Sequence, residues 1–310
     1  MKTKKKIPWF TLLRLFGILL FVYILTTIDF AQAWDVFKSA GLTYVLLALV
    51  FQVFLLIIKA FRWDLIRKTK AEKINRFLNA ARFFESYAVG VVTPGRLGEF
   101  MKAGHEEKKT DKFNSIIKIF YERGFDLGVF VLISGLFFIY FFSSHIPLLG
   151  GLLILTGALL LVVTFLLMTN KKVIEFSLKW VQKIKKTDTD ISHLNYSFAQ
   201  SSMIFMLSIG SNIFYYLSGY FLALSVSINE SLLNISGIIS LTGIINLLPI
   251  TVMGVGTREA SFLYFLSEYP ANQVIAFSLL MFLVAQIGGA LVSLLLSQII
   301  FITDKKQSNG

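Results

Sequence analysis

The chain has 310 residues, of which 55% are hydrophobic, 15% aromatic and only 15% charged, a composition that excludes an ordinary soluble domain and favours a polytopic membrane protein. Its formal net charge of +12 comes from lysines and arginines grouped between apolar runs, where such residues set membrane topology, so we expect no nucleic-acid partner. Cysteine is absent and the three histidines are scattered, which excludes disulfides and thiol catalysis, and we expect neither a metal site nor a cofactor.

Six apolar runs predict spanning helices, because each approaches the roughly 20 residues that cross a bilayer. In chain order they are about Phe10–Ile28, Leu42–Phe61, Ile119–Phe142, Leu148–Met168, Phe198–Leu224 and Val274–Ile302. The positive-inside rule places both basic termini in the cytoplasm, so we expect a multi-pass protein of a prokaryotic cytoplasmic membrane.

The segments that flank the second helix are predicted to lie at the two membrane surfaces. Asp29–Gly41 is expected as an outer loop, and Arg62–Arg82 as a basic segment with helical character along the inner surface. Within that basic segment, Trp63 is expected to act as an interfacial anchor.

A re-entrant hairpin is predicted at about Phe84–Phe100, which is apolar but carries Arg96 and Glu99 behind a Pro-Gly break. Seven basic residues lie between Arg62 and Arg82 and five between Lys102 and Lys118, so both flanks belong on the inner side. An ionisable pair at such a turn, where the backbone must line a wet cavity or be buried in protein, indicates a binding site.

A second hairpin is predicted at about Ile235–Leu266, where Pro249 breaks an apolar run before Arg258-Glu259. Its flanks contain Glu230 and Glu268 but no basic residue, which favours re-entry from the outer face. Two short spanning helices would leave the sidedness unchanged and remain an alternative.

The chain is therefore predicted as one all-α transmembrane domain, residues 1–310, in which six spanning helices enclose two oppositely oriented hairpins. The first half is about 42–142 with hairpin 84–100, and the second about 198–302 with hairpin 235–266. Inverted repeats with broken helices that meet near the midplane are a recurring plan of transporters.

Four motifs, which together span most of the chain, resemble those of the lysylphosphatidylglycerol synthase transmembrane region family, also called flippase-like domain proteins. They are Phe61-Arg62-Trp63, Thr93-Pro94-Gly95-Arg96-Leu97-Gly98-Glu99, Glu122-Arg123-Gly124-Phe125-Asp126, and Leu248-Pro249 with Gly254-Val255-Gly256-Thr257-Arg258-Glu259. The resemblance implies a helical membrane domain that flips lipids, and nothing here resembles the family's soluble aminoacyl-transferase domain.

The candidate headgroup-binding residues are the two Arg–Glu pairs and the glycines beside them: Arg96, Glu99, Arg258, Glu259, Gly95, Gly98, Gly254 and Gly256. Arginine can hold phosphate oxygens in two places, the glutamates can neutralise it or bind a headgroup amine, and glycine allows close backbone approach. The alternative is that each pair only pins its own hairpin.

A supporting role is predicted for Glu122, Arg123 and Asp126 at the start of the third helix. Arg123 and Asp126 share a helix face and are expected to form an ion pair that orders the first hairpin. Contact with the headgroup, or proton coupling, is the alternative.

We expect a transporter that flips or scrambles an anionic, aminoacylated or polyprenyl phospholipid, coupled to a proton or other ion gradient because no nucleotide-binding motif occurs. We expect no catalytic residue, although a membrane-embedded lipid-modifying transferase with Glu99 or Glu259 as general base is an alternative. A third hypothesis is that the protein is an accessory subunit of a lipid synthase or glycosyltransferase.

Overall fold

The computed structural model describes residues 30–67, 75–104, 109–142, 147–177, 194–247 and 254–308, and these residues contain helices but no strand. The helices are α1 (Phe30–Lys38), α2 (Leu42–Arg67), α3 (Arg76–Val92), α4 (Met101–Gly104), α5 (Lys109–Phe142), α6 (Pro147–Thr169), α7 (Phe198–Ser225), α8 (Leu232–Leu247), α9 (Thr257–Phe265), α10 (Ala271–Leu280) and α11 (Gly289–Ser308). A 3₁₀ helix, Pro94–Phe100, joins α3 to α4, and a π-helical segment, Met281–Gly288, joins α10 to α11.

Four stretches in the described part of the chain are long and apolar enough to cross a membrane. They are Leu42–Arg67, Lys112–Phe142, Pro147–Thr169 and Ala271–Asp304, and each matches one of the predicted spanning helices. Only 17% of the apolar window of Pro147–Thr169 is buried inside the protein, as expected of a helix that faces lipid. The protein is therefore an all-helical, multi-pass membrane protein.

The other two predicted spanning helices have different outcomes. Phe10–Ile28 lies outside the described residues. Helix α7 has 28 residues, which is long enough to cross, but it is not one of the four apolar stretches. It packs along α2, and seven of its ten buried residues are serine, glycine or alanine rather than large apolar residues.

The predictions for the two segments that flank α2 are partly wrong. Most of Asp29–Gly41 is helical, as α1, with the rings of Trp34 and Phe37 stacked. Arg62 through Arg67 continue α2, and Trp63 is only 2% exposed, so it belongs to the core and is not an interfacial anchor.

The first hairpin is closed by hydrogen bonds and by one glycine contact. Helix α3 ends at Val92, and Pro94 begins the 3₁₀ helix that folds back on it. The Thr93 hydroxyl accepts from Gly98 N at 2.7 Å and donates to Gly90 O at 3.1 Å. Gly98 lies against the Val89 carbonyl group, where a Cβ would be 2.5 Å from the carbonyl carbon.

The second hairpin brings α9 back against α8, although residues 248–253 between them lie outside the described part of the chain. Gly254 and Gly256 have φ values of 78° and 90°, which only glycine adopts readily. The Thr257 hydroxyl donates to Asn246 Oδ1 at 2.7 Å and so ties the start of α9 to the end of α8.

Candidate functional site

Eight ionisable side chains from four elements form one connected group, which we call the charged cluster. Its members are the cations Lys59, Arg62, Arg96, Lys102 and Arg123 and the carboxylates Glu99, Glu122 and Asp126. Helix α2, the 3₁₀ helix, α4 and α5 each contribute to it. The first hairpin is thereby joined to two of the spanning helices.

Arg62 lies at the centre of the charged cluster and is fully buried. Both of its terminal nitrogens donate to Asp126, Nη2 also donates to Glu122 Oε1 at 3.0 Å, and Nη1 donates to Ser208 Oγ at 2.7 Å. In the sequence, Arg62 is predicted only as part of the basic segment Arg62–Arg82, whose charges set topology. The Phe61-Arg62-Trp63 motif was the available sign that it has a further role.

Lys102 is a second cluster member that sequence reasoning missed. Its ammonium donates to Glu122 Oε2 at 2.5 Å and lies 3.6 Å from Glu99 Oε2. The same ammonium lies 4.5 Å from the ring centroid of Trp63 and 5.0 Å from that of Phe83. These contacts compensate in part for the loss of hydration of a buried cation.

Arg96 and Glu99 lie together, as the sequence predicts, with Arg96 Nη1 3.5 Å from Glu99 Oε1. Glu99 is buried and is also ion-paired with Arg123 Nη2, whereas 43% of the Arg96 side chain is exposed. The Arg96 guanidinium lies 5.6 Å from the ring centroid of Tyr87. Arg96 has a φ of 56°, a left-handed conformation that is strained for a side chain of this kind.

The predicted Arg123–Asp126 pair is replaced by pairs between elements. Arg123 pairs with Glu99 of the hairpin, and Asp126 pairs with Arg62 and, at 3.0 Å, with Lys59 of α2. The Arg123–Glu99 pair joins α5 to the first hairpin, a contact that the spacing within one helix could not reveal.

The charged cluster contains five cations and three carboxylates among the residues that the structure describes. A net positive charge inside a membrane protein attracts an anion, because burial makes uncompensated charge costly. The open side of the cluster lies at Arg96 and Arg123, whose side chains are 43% and 32% exposed, whereas the other members are at most 16% exposed.

The Arg258–Glu259 pair of the second hairpin is also buried, but its charges balance. Arg258 Nη2 and Nε donate to Glu259 Oε1 at 2.6 and 3.1 Å, and the Ser278 hydroxyl donates to the same oxygen. Glu259 Oε2 accepts from Gly256 N at 2.6 Å, so this carboxylate also caps α9. Glu259 thus holds Arg258 in place with one oxygen and the start of α9 with the other.

The glycines predicted to lie beside a headgroup contact other parts of the protein. Gly98 packs on the α3 backbone, and a Cβ on Gly254 would contact the Asn246 side chain. Gly256 provides the N–H that Glu259 accepts, and Gly95 lies in the 3₁₀ helix next to Arg96. Gly98 and Gly254 therefore serve close packing within their hairpins.

A single side chain of α2 links the two hairpin regions. Gln52 Nε2 donates to Ala285 O in the π-helical segment at 3.0 Å and lies 3.5 Å from the hydroxyl of Tyr87. The Arg96 guanidinium lies over the ring of Tyr87. Ala285 and Arg258 both line the same cavity. Among the described residues, no group of three or more metal-ligating side chains occurs.

Several apolar helices of spanning length and a buried charged cluster define an integral membrane protein with a polar interior region. The family model described as Lysylphosphatidylglycerol synthase TM region matches residues 11–293, and the chain belongs to this family. The family resemblance that the motifs indicate is thereby confirmed, and the protein is a lipid-related membrane protein. A search of curated proteins finds no match to the chain.

Proposed function

We propose that this protein flips or scrambles a phospholipid with an anionic headgroup across the cytoplasmic membrane, and that the phosphate binds at the open side of the charged cluster. One observation carries the proposal: the cluster contains two more cations than carboxylates among the described residues, and it opens at Arg96. A bound phosphodiester would supply negative charge that partly compensates the excess of cations in the cluster.

Arg96 is the cluster member best suited to meet the phosphate. Its guanidinium is permanently charged, can donate two parallel hydrogen bonds to phosphate oxygens, and is partly exposed. Its left-handed backbone conformation is the kind of local strain that concentrates at functional sites. Glu99 limits the repulsion between Arg96, Arg123 and Lys102 while the site is empty.

The path of the lipid is proposed to involve both hairpins. Each half of the chain has a long helix, a chain reversal and another long helix, which supports two hairpins of opposite orientation that enter the membrane and return. Gln52, between Tyr87 and Ala285, gives the two regions a direct contact through which one can respond to the other. A proton or ion gradient is the proposed energy source.

The proposal is tested by the movement of fluorescent phosphatidylglycerol in proteoliposomes, comparing the wild type with Arg96→Ala. We expect the variant to lose at least about tenfold in rate, because a charge-assisted hydrogen bond is worth roughly 1.5–3 kcal/mol. Arg76→Ala is the matched control, since Arg76 is 69% exposed on the same hairpin and contacts Asp64 rather than the cluster.

Equal rates for wild type and Arg96→Ala would refute a role of Arg96 in transport. If the folded wild type moves no lipid at all, the transferase and accessory alternatives gain support instead. A normal rate for Arg76→Ala is required before any loss in Arg96→Ala is attributed to the cluster.

A further inference from the structure

A small cavity lies between the second hairpin, α7 and the π-helical segment. Its volume is about 50 Å³, and its polar lining comprises Tyr215, Thr242, Asn246, Arg258 and Gln286. Because one water requires roughly 10–15 Å³ of such a cavity, a polar group of several atoms can enter.

Two buried polar atoms in this lining have no hydrogen-bond partner. They are Arg258 Nη1 and Thr242 Oγ1, and both residues are less than one-tenth exposed. Buried donors and acceptors are nearly always paired, so each such atom requires an explanation. Nη1 offers N–H donors, and the threonine hydroxyl can donate or accept.

The charge around this cavity differs from that of the charged cluster. Glu259 accepts two hydrogen bonds from Arg258 and neutralises it, so the pair contributes no net charge. A second phosphate would meet Glu259 as well as Arg258 and is therefore disfavoured. An uncharged oxygen atom fits the free donors without disturbing this pair.

We propose that the cavity binds the uncharged, hydroxyl-bearing part of the lipid headgroup whose phosphate lies at the charged cluster. Arg258 Nη1 donates to a headgroup oxygen, and the Thr242 hydroxyl forms a second hydrogen bond with it. The proposal rests on the proposed function, and it gives the second hairpin a role in headgroup selection.

The relative position of the two sites supports one shared headgroup. The amide of Gln52 contacts the hydroxyl of Tyr87, beside Arg96, and the carbonyl oxygen of Ala285, which lines the cavity. The proposed phosphate site and the cavity are thus connected through this amide and the Tyr87 ring.

The test compares phosphatidylglycerol with phosphatidylmethanol, which has the same single phosphodiester charge but no headgroup hydroxyl. We expect Thr242→Val to lower the ratio of their transport rates, phosphatidylglycerol over phosphatidylmethanol, by about three- to tenfold, the range that one hydrogen bond is worth. Thr242→Ser should keep the wild-type ratio. Thr169→Val, which removes a threonine hydroxyl that bonds within α6, should also keep it.

A second measurement does not depend on transport. Short-chain forms of the two lipids are added to the detergent-solubilised protein, and the shift in its thermal unfolding midpoint is recorded. We expect phosphatidylglycerol to stabilise the wild type more than phosphatidylmethanol does, and Thr242→Val to abolish the difference. Thr242→Ala removes the same hydroxyl with less bulk and serves if the valine variant does not fold.

The subsite is refuted if the wild type does not distinguish the two lipids, in which case the cavity holds water only. It is also refuted if Thr242→Val affects both lipids equally. Failure of the proposed function gives a different result, because the wild type then moves neither lipid. In that case the shifts in the unfolding midpoint still show whether the cavity binds hydroxyl groups.

Discussion

Arg96 combines two properties that rarely occur in one residue. Its backbone has a φ of 56°, where most side chains are strained by roughly 1–2 kcal/mol, and its side chain carries a charge into a cluster that is already positive. The backbone strain destabilises the fold, and the ion pair with Glu99 leaves the cluster with excess positive charge. The position therefore suits a residue whose guanidinium acts on a ligand.

Replacement of Arg96 by glycine should separate stability from function. Glycine adopts a positive φ without steric penalty, so we expect Arg96→Gly to be more stable to unfolding than Arg96→Ala by about 1 kcal/mol. Both variants should lose transport equally, because both lack the guanidinium. Chemical unfolding in detergent measures the first effect, and a less stable glycine variant would show that the backbone is not strained.

The first hairpin depends on close contact between two elements. The 3₁₀ helix lies against the C-terminal turns of α3, and Gly98 is the residue that permits the approach. This contact holds Arg96 and Glu99 in position, so the geometry of the proposed phosphate site depends on a residue with no side chain.

The substitution Gly98→Ala should open this hairpin. Its Cβ would lie 2.5–2.7 Å from backbone atoms of Val89 and Gly90, which cannot move aside as a flexible side chain would. We expect a loss of about 1–3 kcal/mol in the free energy of unfolding and a large loss of transport. Gly104→Ala is the control, because nothing lies within 4 Å of a Cβ there. Similar behaviour of the two variants would contradict the packing role.

The two halves of the molecule share an order of elements but differ in charge. The first hairpin contributes to a cluster with excess positive charge, and the second contains a balanced Arg–Glu pair beside a small cavity. A single site built from both halves would be asymmetric, with a cationic end and an uncharged polar end. That asymmetry matches the chemistry of a phospholipid headgroup.

The predicted sidedness of the whole molecule is open to a direct test, because the chain contains no native cysteine. A membrane-impermeant maleimide should label Asp35→Cys in intact cells and label Lys171→Cys only after the membrane is permeabilised. Both wild-type side chains are exposed, so burial does not limit the reaction. Labelling of both positions from the outside would contradict the proposed topology.

Two helices that the sequence predicts agree with the structure to within one residue at each end, although α7 is not among the four stretches apolar enough to span. Leu148–Met168 was predicted where the structure has Pro147–Thr169, and Phe198–Leu224 where it has Phe198–Ser225. A helix in lipid must satisfy its backbone hydrogen bonds internally, so its existence and length depend mainly on its own residues. The Arg96–Glu99 and Arg258–Glu259 pairs were likewise visible, because each lies within one short motif.

The centre of the site could not be predicted in this way. Arg62 and Lys102 stand next to basic segments, where a lysine or arginine that sets topology is indistinguishable in the sequence from one that is buried and paired. Their partners, Glu122 and Asp126, lie at least 20 residues away along the chain. Local residues thus determine where this chain enters the membrane, whereas the packing of α2, the first hairpin and α5 determines which charges meet, because long-range contacts depend on how helices assemble.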